Sequence, residues 1–194
     1  MGKREINKVV LREKLLEYAF DLFQKKGMEK TTVSDIINLA DIGRGTFYNY
    51  FTDVNDIFDS IIEKLNSEIQ LVVKASKKRS KNTHEYLYNS FLSYFDLIST
   101  KKMINFHLKN QNYIRKSQYK SEVIISMIKG LTRDMKYKLK AKDFNRKRDF
   151  LLLRFMVVGT PPELFVNTHM LKLNLSNEDL ALFLTKMYSK VLNK

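Results

Sequence analysis

The sequence predicts an all-α protein, on three observations. Only two prolines and six glycines interrupt 194 residues. Apolar residues recur at intervals of three and four along almost the whole chain. From Lys30 to Phe51, two short helical patterns flank a tight turn in a span too small to bury a core of its own. Hydrophobic residues make up 44%, enough for a substantial core, and the length suits one or two small domains.

Met1-Gly2-Lys3-Arg4-Glu5 leads into a charged amphipathic helix and not an apolar run, so no signal peptide is expected. Leu11, Leu15, Tyr18, Ala19, Leu22 and Phe23 form the stripe of this first helix, and Gly27 is placed to end it. Thr32, with Asp35 three residues on, makes a capping box for a second helix whose apolar face is Val33, Ile36, Ile37 and Ala40. Asp41 tolerates the left-handed backbone a tight turn demands. Gly43 and Gly45 let the next helix start close to another surface. That helix is expected from Arg44 to Phe51, burying Phe47 and Phe51. Arg44, Thr46, Tyr48, Asn49 and Tyr50 stay available, donors and flat rings suited to phosphates and to base edges in a major groove.

A fourth helix starts near Asp53, with Ile57, Phe58, Ile61, Ile62, Leu65, Ile69 and Val72 on its apolar face. Lys74 to Lys81 has no apolar period and reads as a basic connecting loop. Asn82 and Glu85 cap a helix with Leu87, Phe91, Tyr94, Phe95 and Ile98 on one side. A short helix follows around Lys101 to Lys109. A longer one lies between about Gln118 and Lys142, its stripe being Ile124, Ile128, Leu131, Met135 and Leu139. Phe150 to Val158 is apolar on nearly every side apart from Arg154 and should be buried on more than one face. Pro161-Pro162 should break or kink it. Ser176 with Asp179 caps a last helix whose face is Leu180, Phe183, Leu184, Met187, Tyr188 and Val191.

The net charge is +14, and its distribution matters more than its size. The first fifty residues carry +2, residues 51–75 carry −3, residues 76–150 carry +13 and the remainder +2. The excess therefore lies outside the two-helix motif, so the motif and not the charge makes the case for nucleic acid. A solvated lysine-rich surface explains the central charge, as does a preference for anionic effectors or a long-range attraction to DNA.

Other chemistry is thin. Cysteine is absent, which excludes a disulfide framework and a thiolate metal site. His84, His107 and His169 are scattered without metal-ligand spacing, and surface or hydrogen-bonded roles are expected for them. Ser90, Ser93, Ser99 and Ser126 lie on helices with no nucleophile turn or base in register. No glycine-rich phosphate loop is present, and no stretch approaches the roughly 20 apolar residues needed to span a bilayer. A soluble cytoplasmic protein without metal or other cofactor is expected. Phe91, Tyr94, Phe95, Phe106, Tyr113, Met127, Phe155, Met156 and Phe165 read either as ordinary core or as the walls of a cavity.

The stretch from roughly Leu11 to Leu65 resembles the N-terminal domain of the TetR family of transcriptional repressors. The likeness rests on the first helix ending at Gly27, Thr31-Thr32-Val33, Ile36, Ala40 and Gly45-Thr46-Phe47-Tyr48-Asn49-Tyr50-Phe51. Three positions depart from the family pattern. Asp41 stands where a Gly is usual, Gly43 stands where a capping Ser is usual, and Val54 replaces a Lys that contacts phosphate. The Gly43 departure costs only a few tenths of a kcal/mol.

The resemblance implies an N-terminal three-helix helix-turn-helix domain, residues 1–52, and a larger helical ligand-binding and dimerisation domain, residues 53–194. It implies DNA contacts from Thr32, Ser34, Arg44, Gly45, Thr46, Tyr48, Asn49 and Tyr50, and pairing of the last two helices across a twofold axis. It also favours the cavity reading for the central aromatics. The lining would be Phe91, Tyr94, Phe95, Met127, Phe155 and Met156, with His107, Gln111 or Tyr113 as donors to a small hydrophobic effector, neutral or anionic sooner than cationic. An all-helical adaptor or enzyme without small-molecule regulation is the alternative on the same scaffold.

Overall fold

A computed structural model describes residues 2–118, 120–127, 129 and 148–192. Among these residues there are helices and no strands. The helices are α1 (Lys3–Lys26), α2 (Val33–Ala40), α3 (Arg44–Tyr48), α4 (Val54–Arg79), α5 (Thr83–Ile98), α6 (Lys101–Gln118), α7 (Arg148–Met170) and α8 (Asn177–Leu192). Residues 122–127 are also helical. The all-α expectation holds, and none of the described helices is long and apolar enough to cross a membrane.

Packing divides the chain into two compact units, Met1–Leu65 with Lys101–Tyr119 and Asn66–Thr100 with Lys120–Lys194. In the first unit Leu15, Ala19, Phe23, Ile36, Phe47, Ile57 and Phe106 are completely buried, and Val33, Ile37 and Ala40 pack against them as the second stripe requires. The aromatic centre is Phe58, 5.2 Å from Phe23 and 5.6 Å from Phe106. Polar ties brace its rim. Lys64 Nζ donates to Glu13 at 2.5 Å, Lys102 Nζ to Asp21 at 2.8 Å, and Ser117 Oγ to Asp59.

The first stretch of α6 ends at Lys109 as expected, and a second helical stretch that was not expected follows the break at Asn110 and runs to Gln118. The inner face of α6 is Phe106, Asn110, Ile114 and Ser117, all buried at helical spacing, so two polar residues occupy apolar positions and hide the period. Asn110 interrupts the helix with φ −124° and ψ 17°, and its side chain is shared with the end of α1. Asn110 Oδ1 accepts from Met28 N at 2.6 Å, while Nδ2 donates to Phe23 O at 3.0 Å and Phe106 O at 2.8 Å. Gly27, between those partners, has φ +84°, and a Cβ there would stand 3.4 Å from Lys109 O. The positive φ is what calls for glycine, since the added Cβ would be in ordinary contact.

In the second unit α5 packs on α8. The expected stripe of Leu87, Phe91, Tyr94, Phe95 and Ile98 is buried, Phe91 lies 5.8 Å from Tyr188, and Phe95 stacks 6.2 Å from Phe165 of α7. Asn82 caps α5 by accepting from Glu85 N at 2.9 Å. The Lys74 to Lys81 loop is a misreading, because α4 continues to Arg79. Its buried line passes through Asn66, Ile69 and Ser76, and again polar residues stand at apolar positions. Asn66 Nδ2 donates to Ser121 Oγ at 3.1 Å, and Ser76 Oγ reaches Val72 O at 2.9 Å and Asn89 O at 3.2 Å.

Two further corrections concern α7. It continues through Pro161 and Pro162 as one helix, with buried Phe165 and Val166 holding the turn that follows against the lost hydrogen bonds and the ring clash. Nor is Phe150 to Val158 buried all round, because Leu152, Phe155 and Met156 are exposed. Ser176 and Asp179 form the expected box at α8, with Asp179 N donating to Ser176 Oγ at 3.1 Å and Ser176 N to Asp179 Oδ2 at 2.9 Å. The α8 stripe splits in two. Leu180, Leu184 and Tyr188 are buried, whereas Phe183 and Met187 are more than half exposed. Of the stripe expected between Gln118 and Lys142, Ile124 is buried, and Ile128, Leu131, Met135 and Leu139 lie outside the described residues.

Candidate nucleic-acid interface

Thr32 starts α2 as a capping box. Its Oγ1 accepts from Asp35 N at 3.2 Å and its own N–H donates to Asp35 Oδ2 at 2.7 Å, an arrangement worth about 1 kcal/mol. Thr31 is turned inward, its hydroxyl donating to Gly27 O at 2.8 Å. Lys26 Nζ stands 2.8 Å from the same Asp35 carboxylate. The Lys26 side chain, then the Thr32 N–H and hydroxyl, lower the Asp35 pKa to about 2. The pairing of α1 with α2 therefore keeps its charge as pH falls through the usual carboxylate range and loses it only towards pH 2.

Asp41 ends α2 in the left-handed region, φ 50° and ψ 52°, as the turn requires. Gly43 then caps α3. A methyl group added at Gly43 or Gly45 would meet nothing within 4 Å, so any close approach these glycines allow is to a surface outside this chain. Helix α3 is shorter than expected and ends at Tyr48 instead of Phe51. The next turn tightens through Tyr50 N to Phe47 O at 2.9 Å, swinging Phe51 into the core.

Phe47 anchors this helix. It is fully buried, with Tyr48 5.6 Å and Phe51 5.9 Å from it ring to ring, and the Arg12 guanidinium lies 5.1 Å over Phe51. With that side fixed, Thr32, Arg44, Gly45, Tyr48 and Asn49 are exposed, while Ser34, Thr46 and Tyr50 are half-buried. Tyr50 packs on the core. Arg44 Nη2 donates to Ser34 Oγ at 3.1 Å, which holds the guanidinium beside α2. Leu39, nearly half exposed on α2, was not singled out from sequence, although it falls off the Val33–Ile36–Ile37–Ala40 face.

The candidate effector residues fall in different units. His107, Gln111 and Tyr113 belong to the first, where Tyr113 meets Phe58 at 6.1 Å and buried His107 meets Phe106 at 6.0 Å. Phe91, Tyr94 and Phe95 are buried in the second, Met127 is half-buried there, and Phe155 and Met156 are exposed. His169 is hydrogen-bonded through Nδ1 to Phe165 O at 2.8 Å, and His84 is exposed.

The sequence profile of bacterial regulatory proteins of the tetR family matches residues 15–61. The HTH-type transcriptional regulator YvdT of Bacillus subtilis, itself uncharacterised, is 40% identical over 53 residues, 27% of each chain. The chain spans about a quarter to a half of the length of the first curated relatives it matches. The likeness in fold is far more extensive. The fatty acid degradation regulator FadR of Bacillus halodurans shares a TM-score of 0.67 at 20% identity, over 99% of this chain and 95% of that one. FadR of Bacillus subtilis, in a complex with stearoyl-CoA, shares 0.70 at 18% identity, over 90% and 96%.

Proposed function

We propose that this chain, whose residues 15–61 match the profile of bacterial regulatory proteins of the tetR family, is a transcriptional regulator of that type, a homodimeric repressor released from a palindromic operator by a small hydrophobic ligand. One observation carries the DNA reading. Phe47 pins one side of α3 in the core while Arg44, Gly45, Tyr48 and Asn49 are exposed on the other. A short helix presented in this way enters a major groove. There Arg44 and Thr46 lie nearest base edges, Tyr48, Asn49 and Tyr50 nearer phosphates, and Thr32 and Ser34 meet the backbone across the groove. Twofold symmetry spaces the half-sites about one helical turn, roughly 34 to 36 Å, apart. Such a role belongs in the cytoplasm.

This division of roles has a direct test. Tyr48→Ala should weaken binding to operator and to random duplex by similar factors. Arg44→Ala should instead relax discrimination by about 1 to 3 kcal/mol if it reads a guanine. Binding curves on both DNAs decide it, and equal losses for the two variants would sink the assignment.

The dimer reading is supported by unpartnered apolar side chains on both terminal helices. These are Leu152, Phe155 and Met156 on α7 and Phe183 and Met187 on α8, spaced three and four apart as a packing seam requires. The effector reading is supported by the stearoyl-CoA complex of one relative in fold and by the scarcity of free carboxylates. The Glu85 carboxylate accepts from Lys81 N at 2.8 Å, Asp96 accepts from Asn177 at 2.8 Å, and Asp149 pairs with Arg148 at 2.7 Å. Few are left to receive a cation, so a neutral or anionic hydrophobic effector is favoured. Bound in the residue 53–194 domain, it would act on residues 1–52 through α4, and only to the extent that it prefers the geometry that does not fit DNA. The regulator names of the curated relatives favour this reading over an enzyme or adaptor.

A further inference from the structure

Two hydroxyls on the inner side of α5, Ser90 Oγ and Tyr94 Oη, are buried with no hydrogen-bond partner among the described residues. Tyr94 is only 8% exposed. The two positions are one helical turn apart on one face, and helical side chains lean towards the N-terminus, so the Tyr94 ring lies over the turn that carries Ser90.

The face on either side of the pair is occupied. On one side Ser76 Oγ bonds to Asn89 O and Ser93 Oγ, each at 3.2 Å, and Asn89 Nδ2 donates to Ser80 Oγ at 3.1 Å. On the other, Phe91 and Phe95 meet Tyr188 and Phe165. Ser99, one turn past Phe95, donates to Phe95 O at 2.6 Å. Asn89, Ser93 and Ser99 of α5 thus find partners, whereas the Ser90 and Tyr94 hydroxyls have none among the described residues. A buried unsatisfied hydroxyl costs stability, and Ala and Phe would fill the same positions without that cost.

We propose that Ser90 and Tyr94 form the polar end of a site for an apolar molecule carrying an uncharged hydrogen-bond acceptor, such as an amide, ketone or ether oxygen. This rests on the effector reading above and narrows it to a neutral head group. Burial alone pushes the Tyr94 phenol up, so it stays protonated and donates. No charged group contributes to that shift. A carboxylate there would exchange its hydration for two neutral hydroxyls, and an ammonium would exchange its own for two neutral hydroxyl oxygens. Each hydroxyl can donate to an uncharged acceptor oxygen, and buried Leu87 and Ile98 lie on the same stripe of α5.

The test uses the full chain, purified without ligand, and three probes of equal chain length: decanamide, decanoate and decylammonium. Decanamide is expected to raise the melting temperature in a concentration-dependent way, more than either charged probe. The double variant Ser90→Ala, Tyr94→Phe is expected to melt no lower than the parent without ligand and to need at least tenfold more decanamide for the same shift. The site is overturned if a charged probe stabilises the parent as well as decanamide, if no probe stabilises it, or if the double variant keeps the parent's response. It is also overturned if the unliganded variant melts lower, which would mean that water already satisfies the hydroxyls structurally. Operator release separates this from the broader reading. Release by decanoate with no decanamide shift would overturn the neutral head group and keep regulation, whereas a decanamide shift without release would keep the site and overturn regulation.

Discussion

Phe183→Asp combined with Met187→Asp is expected to turn a dimer into folded monomers. Both side chains are more than half exposed in the single subunit, so the substitutions leave its core alone. Across a twofold seam of α7 and α8 they would instead bury unpaired carboxylates, at several kcal/mol each. Light scattering at micromolar concentration checks the mass, and circular dichroism checks that the helices persist. Operator affinity should fall with the mass, because one reading head makes too few contacts for a specific site. A monomeric parent chain contradicts the proposed assembly. Leu184→Asp is no substitute for this test, since Leu184 is 1% exposed and a charge there would unfold the subunit whether or not it dimerises.

Asn110→Leu should strongly destabilise the first unit. Leucine keeps the volume and removes three hydrogen bonds, leaving the buried Met28 N–H without its acceptor at the end of α1. An abandoned buried group costs about 1 to 3 kcal/mol, so a loss of roughly 2 to 5 kcal/mol is expected, a large share of the 5 to 15 kcal/mol that typically holds a domain together. Urea unfolding followed by circular dichroism measures it. A loss below about 1 kcal/mol would mean that water replaces the amide.

What was legible in the sequence was local. The Thr32–Asp35 and Ser176–Asp179 boxes, the Asn82 cap of α5, the left-handed Asp41, and the stripes of α1, α2 and α5 are written in neighbouring residues and formed as read. The errors occurred where polar residues stand at core positions. Asn66 and Ser76 on α4, and Asn110 and Ser117 on α6, are buried because partners distant in sequence accept or donate to them. Hydrophobic period therefore stops short of both helix ends. The exposure of Phe155, Met156, Phe183 and Met187 was illegible for a different reason. A side chain facing a second subunit and one facing its own core obey the same spacing. In the candidate interface, the outward set on α3 was readable because Phe47 and Phe51 fix the phase, whereas the early end of the helix at Tyr48 depends on how Phe51 packs.

The central claim, a twofold DNA reader built on α3, is tested most directly by selecting binding sites for the full chain from a random double-stranded pool. The account predicts enrichment of an inverted repeat whose half-sites lie about one helical turn, roughly 34 to 36 Å, apart. Recovery of no preferred duplex sequence, or of a single unrepeated half-site, would contradict it.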